Sequence, residues 1–213
     1  MFATQEPGDG SSAGGGRASD LVRALAAVWR FSCDTDQIEA LARYAESLLR
    51  WNARINLTAA RSIDVLIAEH FPDAFALARK LDQPARLIDV GSGGGLPAIP
   101  LAVLRPHLTV ELCEPIAKKV AFLRTAVREL GLGSRVSVEL ARGEAIARQR
   151  PRMFDAAISR ATLAPDKWLE LAGRLVRPGG RVFALTAADA LPDRPDREVY
   201  LDGRRAVIEV SCP

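Results

Sequence analysis

Asp89-Val90-Gly91-Ser92-Gly93-Gly94-Gly95-Leu96-Pro97 is the stretch that decides the fold. It follows Arg86-Leu87-Ile88-Asp89-Val90, a short apolar run that reads as a buried strand. It leads into an apolar segment with Pro97 placed for a first helical turn. Glycines here permit a tight turn and let a ligand approach the backbone closely. Similar strand-like runs lie at Leu108–Glu114, Arg135–Leu140, Phe154–Ser159, Arg181–Thr186 and Ala206–Val210. Helical patterns separate several of them. Ala117–Leu130 carries Val120, Leu123, Val127 and Leu130 on one face and stops at Gly131. Strands alternating with helices predict an α/β fold, a doubly wound and mainly parallel sheet covered on both faces. Ligands of such sheets sit in the crevice outside the strands' carboxyl ends.

Working outward, the segment before Pro84 is helical and carries no strand signal. Ser19 or Asp20 caps a first helix through Phe31, and Asp34 or Thr35 caps a second with Ile38, Leu41, Ala42, Ala45, Leu48 and Leu49 at helical spacing. A third runs from Ile63 to Leu81 and is interrupted near Pro72. Residues 1–18 contain GDGSSAGGG and read as a disordered tail. The expected organisation is therefore a tail (1–18), a helical extension (19–83) and a ligand-binding domain (84–213).

The 213 residues, 48% apolar and 26% charged, suffice for a full core and exclude wholesale disorder. A net charge of +3 is too mild by itself to argue a nucleic-acid partner. Cys33, Cys113 and Cys212 form no CxxC pair, and His70 and His107 form no HExxH pair. A disulfide framework or a metal centre is therefore not expected. The longest uncharged run, Val90–Leu104, is too short to span a bilayer, and the N-terminus lacks a leader pattern. These features predict a reduced, cytoplasmic, soluble protein; a monomer is expected, although no feature of the sequence decides the oligomeric state.

Which ligand the loop takes follows partly by elimination. A dinucleotide fingerprint needs a third small residue where Leu96 stands, and no Gly-Lys-Ser/Thr follows to make a phosphate loop. What remains is Asp89, Gly91, Gly93 and Gly95 in an acidic-x-Gly-x-Gly-x-Gly pattern, with Glu114 ending the next strand. That resembles the first motif of class I S-adenosylmethionine-dependent methyltransferases, with Glu114 placed to accept hydrogen bonds from two ribose hydroxyls. The bland alternative is a glycine turn that packs a helix onto the sheet, beside a solvated Glu114.

Four more stretches extend the likeness: LLRWNARINLTAAR (Leu48–Arg61), AEHFPDA (Ala68–Ala74), KKVAFLRTAVRELGL (Lys118–Leu132) and SRA (Ser159–Ala161). In this order around the glycine loop, from Gln37 to Val210, they resemble the bacterial small-subunit ribosomal RNA guanine-N7 methyltransferases, the RsmG or GidB family. The resemblance implies a seven-stranded class I methyltransferase fold with a helical N-terminal extension. It implies methyl transfer from S-adenosylmethionine to guanine N7 of 16S ribosomal RNA, in the 30S subunit or bare. It also assigns Gly91 and Leu96 to the cofactor loop, Glu114 to the ribose, Gly143 and Glu144 to the adenine, and Arg160 to the cofactor and substrate side of the pocket. The chain departs from the family at Leu185-Thr186-Ala187, where the family has Leu-Lys-Gly, and the short Ala187–Val199 connection implies a shortened or missing sixth strand.

Guanine N7 carries a lone pair and no proton, so no general base is required and alignment should supply most of the catalysis. A guanine in structured RNA must be splayed out, and its phosphates call for cations at the pocket mouth. Lys118–Arg152 holds nine Lys/Arg against three Glu, a local excess of +6. Lys118, Lys119, Arg124 and Arg128 are the candidate RNA contacts, with Arg135, Arg148, Arg150 and Arg152 in the same run. Packing is the expected role of Trp51, Trp168 and His70. Asn56 and Thr58 are expected to order the chain entering the domain. Two other functions stay open: a small-molecule methyltransferase, and a cofactor- or RNA-binding homologue without turnover.

Overall fold

The computed structural model describes residues 12–160, 164–190 and 197–212. Four helices come first: α1 (Ser12–Val28), α2 (Thr35–Asn52), α3 (Ile63–His70) and α4 (Pro72–Lys80). Alternation follows: β1 (Arg86–Val90), α5 (Ala98–Leu104), β2 (Thr109–Glu114), α6 (Ala117–Glu129), β3 (Val136–Leu140), α7 (Gly143–Gln149), β4 (Phe154–Arg160), α8 (Pro165–Leu175) and β5 (Val176–Ala187). A hairpin of β6 (Arg197–Tyr200) and β7 (Arg205–Ser211) ends the fold.

The seven strands lie in the order β3-β2-β1-β4-β5-β7-β6. β1 to β5 are parallel, and β7 runs antiparallel to both β5 and β6. The order reverses at β1, which has β2 on one side and β4 on the other. This switch point opens a crevice at the strands' carboxyl ends. Alternation along β1 sends Leu87 into one core and Ile88 and Val90 into the other. The first core runs from Ala18 in α1 to Val207 in β7, so the helical extension shares its hydrophobic core with the sheet. The second packs α7 and α8 against the opposite face.

Local signals place the helices. Asp34 and Gln37 form a reciprocal capping box at the start of α2. The Gln37 amide then donates to the carbonyls of Val103 and Leu104, pinning α2 to the end of α5. Pro72 at the first position of α4 separates it from α3, as the sequence indicates.

Three points go beyond the sequence reading. The helix begins at Ser12, not Ser19, so 12–18 belong to α1; Ala18 is fully buried and Arg17 pairs with Asp64 at 2.6 Å. Tertiary burial overrides the low helix propensity of the glycines. Residues 1–11 lie outside the described residues. β5 starts at Val176, because Arg177-Pro178-Gly179-Gly180 forms a bulge between the Phe154–Val176 and Ala156–Arg181 pairings. A Cβ on Gly180 would lie 2.6 Å from the Asp155 carbonyl, which explains the glycine. The sixth strand is four residues long, the shortened alternative that the brief connection implied, although the sequence reading gave it no segment of its own.

Candidate active site

The glycine loop turns away from β1 with Gly91, Gly93 and Gly95 at φ of +77°, +57° and +82°, conformations that side chains with a Cβ disfavour. Gly91 and Ser92 both donate to the Cys113 carbonyl at the end of β2. The glycines divide by purpose. A Cβ on Gly95 would strike Ile99 at 2.5 Å, and one on Gly143 would strike Val90 at 2.7 Å, so those two are packing glycines. A Cβ on Gly93 would meet only the Gly91 carbonyl, at 3.8 Å, so the loop is open on that side. Leu96 is buried in the first core.

Glu114 is 3% exposed and closes the loop from β2. One carboxylate oxygen accepts from Gly93 N at 2.9 Å, and the other accepts from Ile116 N at 2.9 Å. Each oxygen keeps a second acceptor site. Asp89 is buried at the end of β1, and its Oδ2 has no hydrogen-bond partner. Burial raises its pKa to about 7; Ser92 and Arg160 oppose the shift and Glu114 adds to it.

The helical extension seats the loop. Tyr44 of α2 donates from its buried hydroxyl to the Gly94 carbonyl at 2.6 Å. Leu48 and Leu57 pack so closely on Gly94 that a Cβ there would lie 2.9 Å from the Leu48 methyl. Leu57 is held by Asn52, whose Oδ1 accepts from Leu57 N and Thr58 N while its Nδ2 donates to the carbonyls of Thr58 and Ala60. Asn52 therefore orders the entering chain together with Thr58; Asn56 is exposed.

Arg160, at the carboxyl end of β4, points across the switch point toward the extension. Its Nη1 lies 3.1 Å from His70 Nδ1 and 3.3 Å from Asp73 Oδ2. Burial first, and the Arg160 charge second, push the His70 pKa down to about 4. The neutral ring then accepts at Nδ1 and turns Nε2–H toward Thr58 Oγ1, 3.4 Å away. His70 is thus a packed, satisfied histidine. Ala161 of the SRA stretch lies outside the described residues.

The expected basic run splits. Arg135 donates into the carbonyls of Ala102 and Leu108, and Arg150 forms a two-pronged pair with buried Glu111 at 2.8 and 2.5 Å. Both are structural and leave the nucleic-acid candidates. Lys118, Arg124 and Arg128 are exposed on α6 and Lys119 is partly exposed. Ser47 contacts Glu129 and Trp51 packs on Phe122 at 5.7 Å, so α2 runs antiparallel to α6. Trp168 is core, its indole N–H on the Phe183 carbonyl. Glu144 is exposed in the first turn of α7. Exposed Ile116 and Leu140 stand at the carboxyl ends of β2 and β3, apolar side chains that sequence reading missed. A cavity of about 420 Å³ between α2 and α6 contains none of the predicted site residues.

Strand order, glycine loop and the acid ending β2 together define a class I methyltransferase. A crystal structure of a SAM dependent methyltransferase from Aquifex aeolicus superposes with a TM-score of 0.56 at 15% identity, over 70% of this chain and 93% of that one, which supports the fold. The chain belongs to the GidB family, described as rRNA small subunit methyltransferase G, whose match covers residues 37–198. A ribosomal RNA small subunit methyltransferase G from Anaeromyxobacter sp. (strain Fw109-5) is 38% identical over 170 residues, 80% of this chain and 78% of the relative. One from Geobacter sp. (strain M21) is 32% identical over 194 residues, 91% of this chain and 89% of the relative.

Proposed function

We propose that the protein transfers a methyl group from S-adenosylmethionine to N7 of a guanine in small-subunit ribosomal RNA. Family membership supports the substrate class, since the relatives carry that activity in their names. The observation that carries the site is the pairing of Glu114 with the open side of the loop at Gly93. The residues present fit the cofactor. Asp89 holds a buried acceptor without a partner, Glu114 has acceptor capacity to spare, and Ile116 and Leu140 are exposed apolar side chains at the carboxyl ends of β2 and β3.

S-adenosylmethionine supplies an electrophilic methyl and a neutral leaving group. Gly91 and Gly93 keep the loop backbone accessible, with Leu96 fixing its far end from the core. Glu114 takes ribose hydroxyls on its remaining lone pairs. Ile116 and the α7 start at Gly143–Glu144 receive the adenine. Arg160 orients the guanine against the methyl, and no group is asked to remove a proton. Lys118, Lys119, Arg124 and Arg128 meet RNA phosphates. The setting is cytoplasmic, with the 30S subunit or its RNA as partner. Among the described residues no helix is long and apolar enough to cross a membrane.

The test is tritium transfer from labelled S-adenosylmethionine to 30S subunits, to bare 16S RNA and to small-molecule acceptors. Label in RNA that digests to 7-methylguanosine is the expected result. Label only in a small molecule, or tight RNA binding with no label, would reject the reading.

A further inference from the structure

Asp73, which touches the site through Arg160, is the most heavily bonded buried carboxylate among the described residues. It is fully buried at the start of α4, in the otherwise apolar run Phe71–Ala78. Its Oδ1 accepts from the Tyr200 hydroxyl at 2.5 Å and from Arg205 Nε at 3.3 Å. Its Oδ2 accepts from Arg205 Nη2 and from Arg160 Nη1. A buried carboxylate needs a cation and filled lone pairs. Arg205, paired through both oxygens, and Tyr200 already meet that need. The Arg160 contact is additional, and it serves the arginine.

Arg160 has a long side chain whose rotamer freedom costs free energy to suppress. Asp73 and His70 receive the same Nη1, one as an anion and one as a neutral acceptor, and so define its place. The holders are themselves held. Asp73 is locked by the hairpin residues Tyr200 and Arg205, and Tyr200 packs edge-on at 5.6 Å against Trp29, in the turn that follows α1. His70 is backed by Thr58, itself bound to Asn52.

We infer that Asp73 is a positioning residue for methyl transfer: clamped by Arg205 and Tyr200, it works with His70 to hold the Arg160 guanidinium at the mouth of the methyl-transfer pocket. This rests on the function proposed above and on Arg160 acting there.

The experiment is a double-mutant cycle on the full chain, read as kcat and KM for 30S subunits and as the dissociation constant for S-adenosylmethionine. Asp73→Asn should lower kcat by about tenfold or more and leave cofactor affinity within about threefold. In an Arg160→Ala background the same change should lower kcat by less than about twofold, because its route is already cut. His70→Ala keeps the Asp73–Arg205 pair and covers the case in which Asp73→Asn fails to fold. It should lower kcat about threefold or more alone and have no further effect beside Arg160→Ala. Losses that multiply in the double variants would make Asp73 and His70 merely structural and overturn the proposal. Full activity of Arg160→Ala would overturn it too, while leaving methyl transfer standing. A wild-type protein inactive on every ribosomal substrate would remove the proposed function, and this inference with it.

Discussion

At the residue scale, Glu114 has two jobs. It holds the loop through Gly93 N and has spare acceptor sites for a ligand. Glu114→Ala should weaken S-adenosylmethionine binding by roughly 1.5–3 kcal/mol, the range for hydrogen bonds to a charged group, with the fold kept. Calorimetry checks this, and an unchanged dissociation constant would return Glu114 to a purely structural role. Asp89 and His70 act on stability with opposite signs. Asp89 titrates near 7 when folded and near 4 when unfolded, so the folded state holds the extra proton and stability falls as pH rises through that window. His70 titrates near 4 when folded and near 6.5 when unfolded, so stability rises with pH between those values. The two slopes oppose each other between about pH 4 and 6.5. Asp89→Asn should therefore give a melting temperature that climbs more steeply across that range than the wild type's does. Parallel melting curves for the two proteins would remove Asp89 as the compensating group.

At the element scale, α2 and α6 carry the site's supports. Tyr44→Phe leaves the Gly94 carbonyl without its buried donor, at a cost of about 1–3 kcal/mol. A lower melting temperature and a several-fold weaker cofactor affinity should appear together. A drop in stability alone would mean that the extension does not seat the loop. On α6, replacing Lys118 and Lys119 by Ala should weaken RNA binding and flatten its salt dependence, with cofactor affinity intact. Binding titrations at several ionic strengths would tell; an unchanged salt slope clears α6 of phosphate contact. The elements themselves were largely legible. Gly, Pro and the periodicity of the apolar residues located six of the seven strands and most helices. β6 was not, because four half-exposed residues carry no period-2 signal. Nor was the start of α1, where three glycines of low helix propensity precede the buried Ala18. In the site, Asp89, the loop and Glu114 were readable because one βαβ unit places them. The Asp73 cluster was not, although a lone carboxylate in an apolar helix start signals a buried charge. Its partners lie 87 to 132 residues away, at separations that only the folded sheet closes.

At the scale of the whole molecule, the site is shared between the middle of the sheet and its margin. β1 and β4 are central and buried, whereas β6 is an outer strand of four residues with Val199 open to solvent. Short outer strands open locally at a small fraction of the free energy needed to unfold a core. Tyr200 and Arg205, the clamp on Asp73, both sit on this outer hairpin. Fraying there would release the arginine while the sheet, the loop and the cofactor pocket stay folded. The temperature optimum should consequently be set by the margin of the sheet, and heat should cost the protein its turnover before it costs the fold. Methyl transfer should decline several degrees below the global midpoint seen by far-ultraviolet circular dichroism. Amide exchange in β6 and β7 should accelerate over that same interval, with β1 and β4 still protected. Activity and helical signal lost at one temperature would instead tie turnover to global unfolding. A protein built this way should meet warming by idling reversibly, the arginine proposed to align the guanine adrift on an intact scaffold, and recover on cooling without refolding.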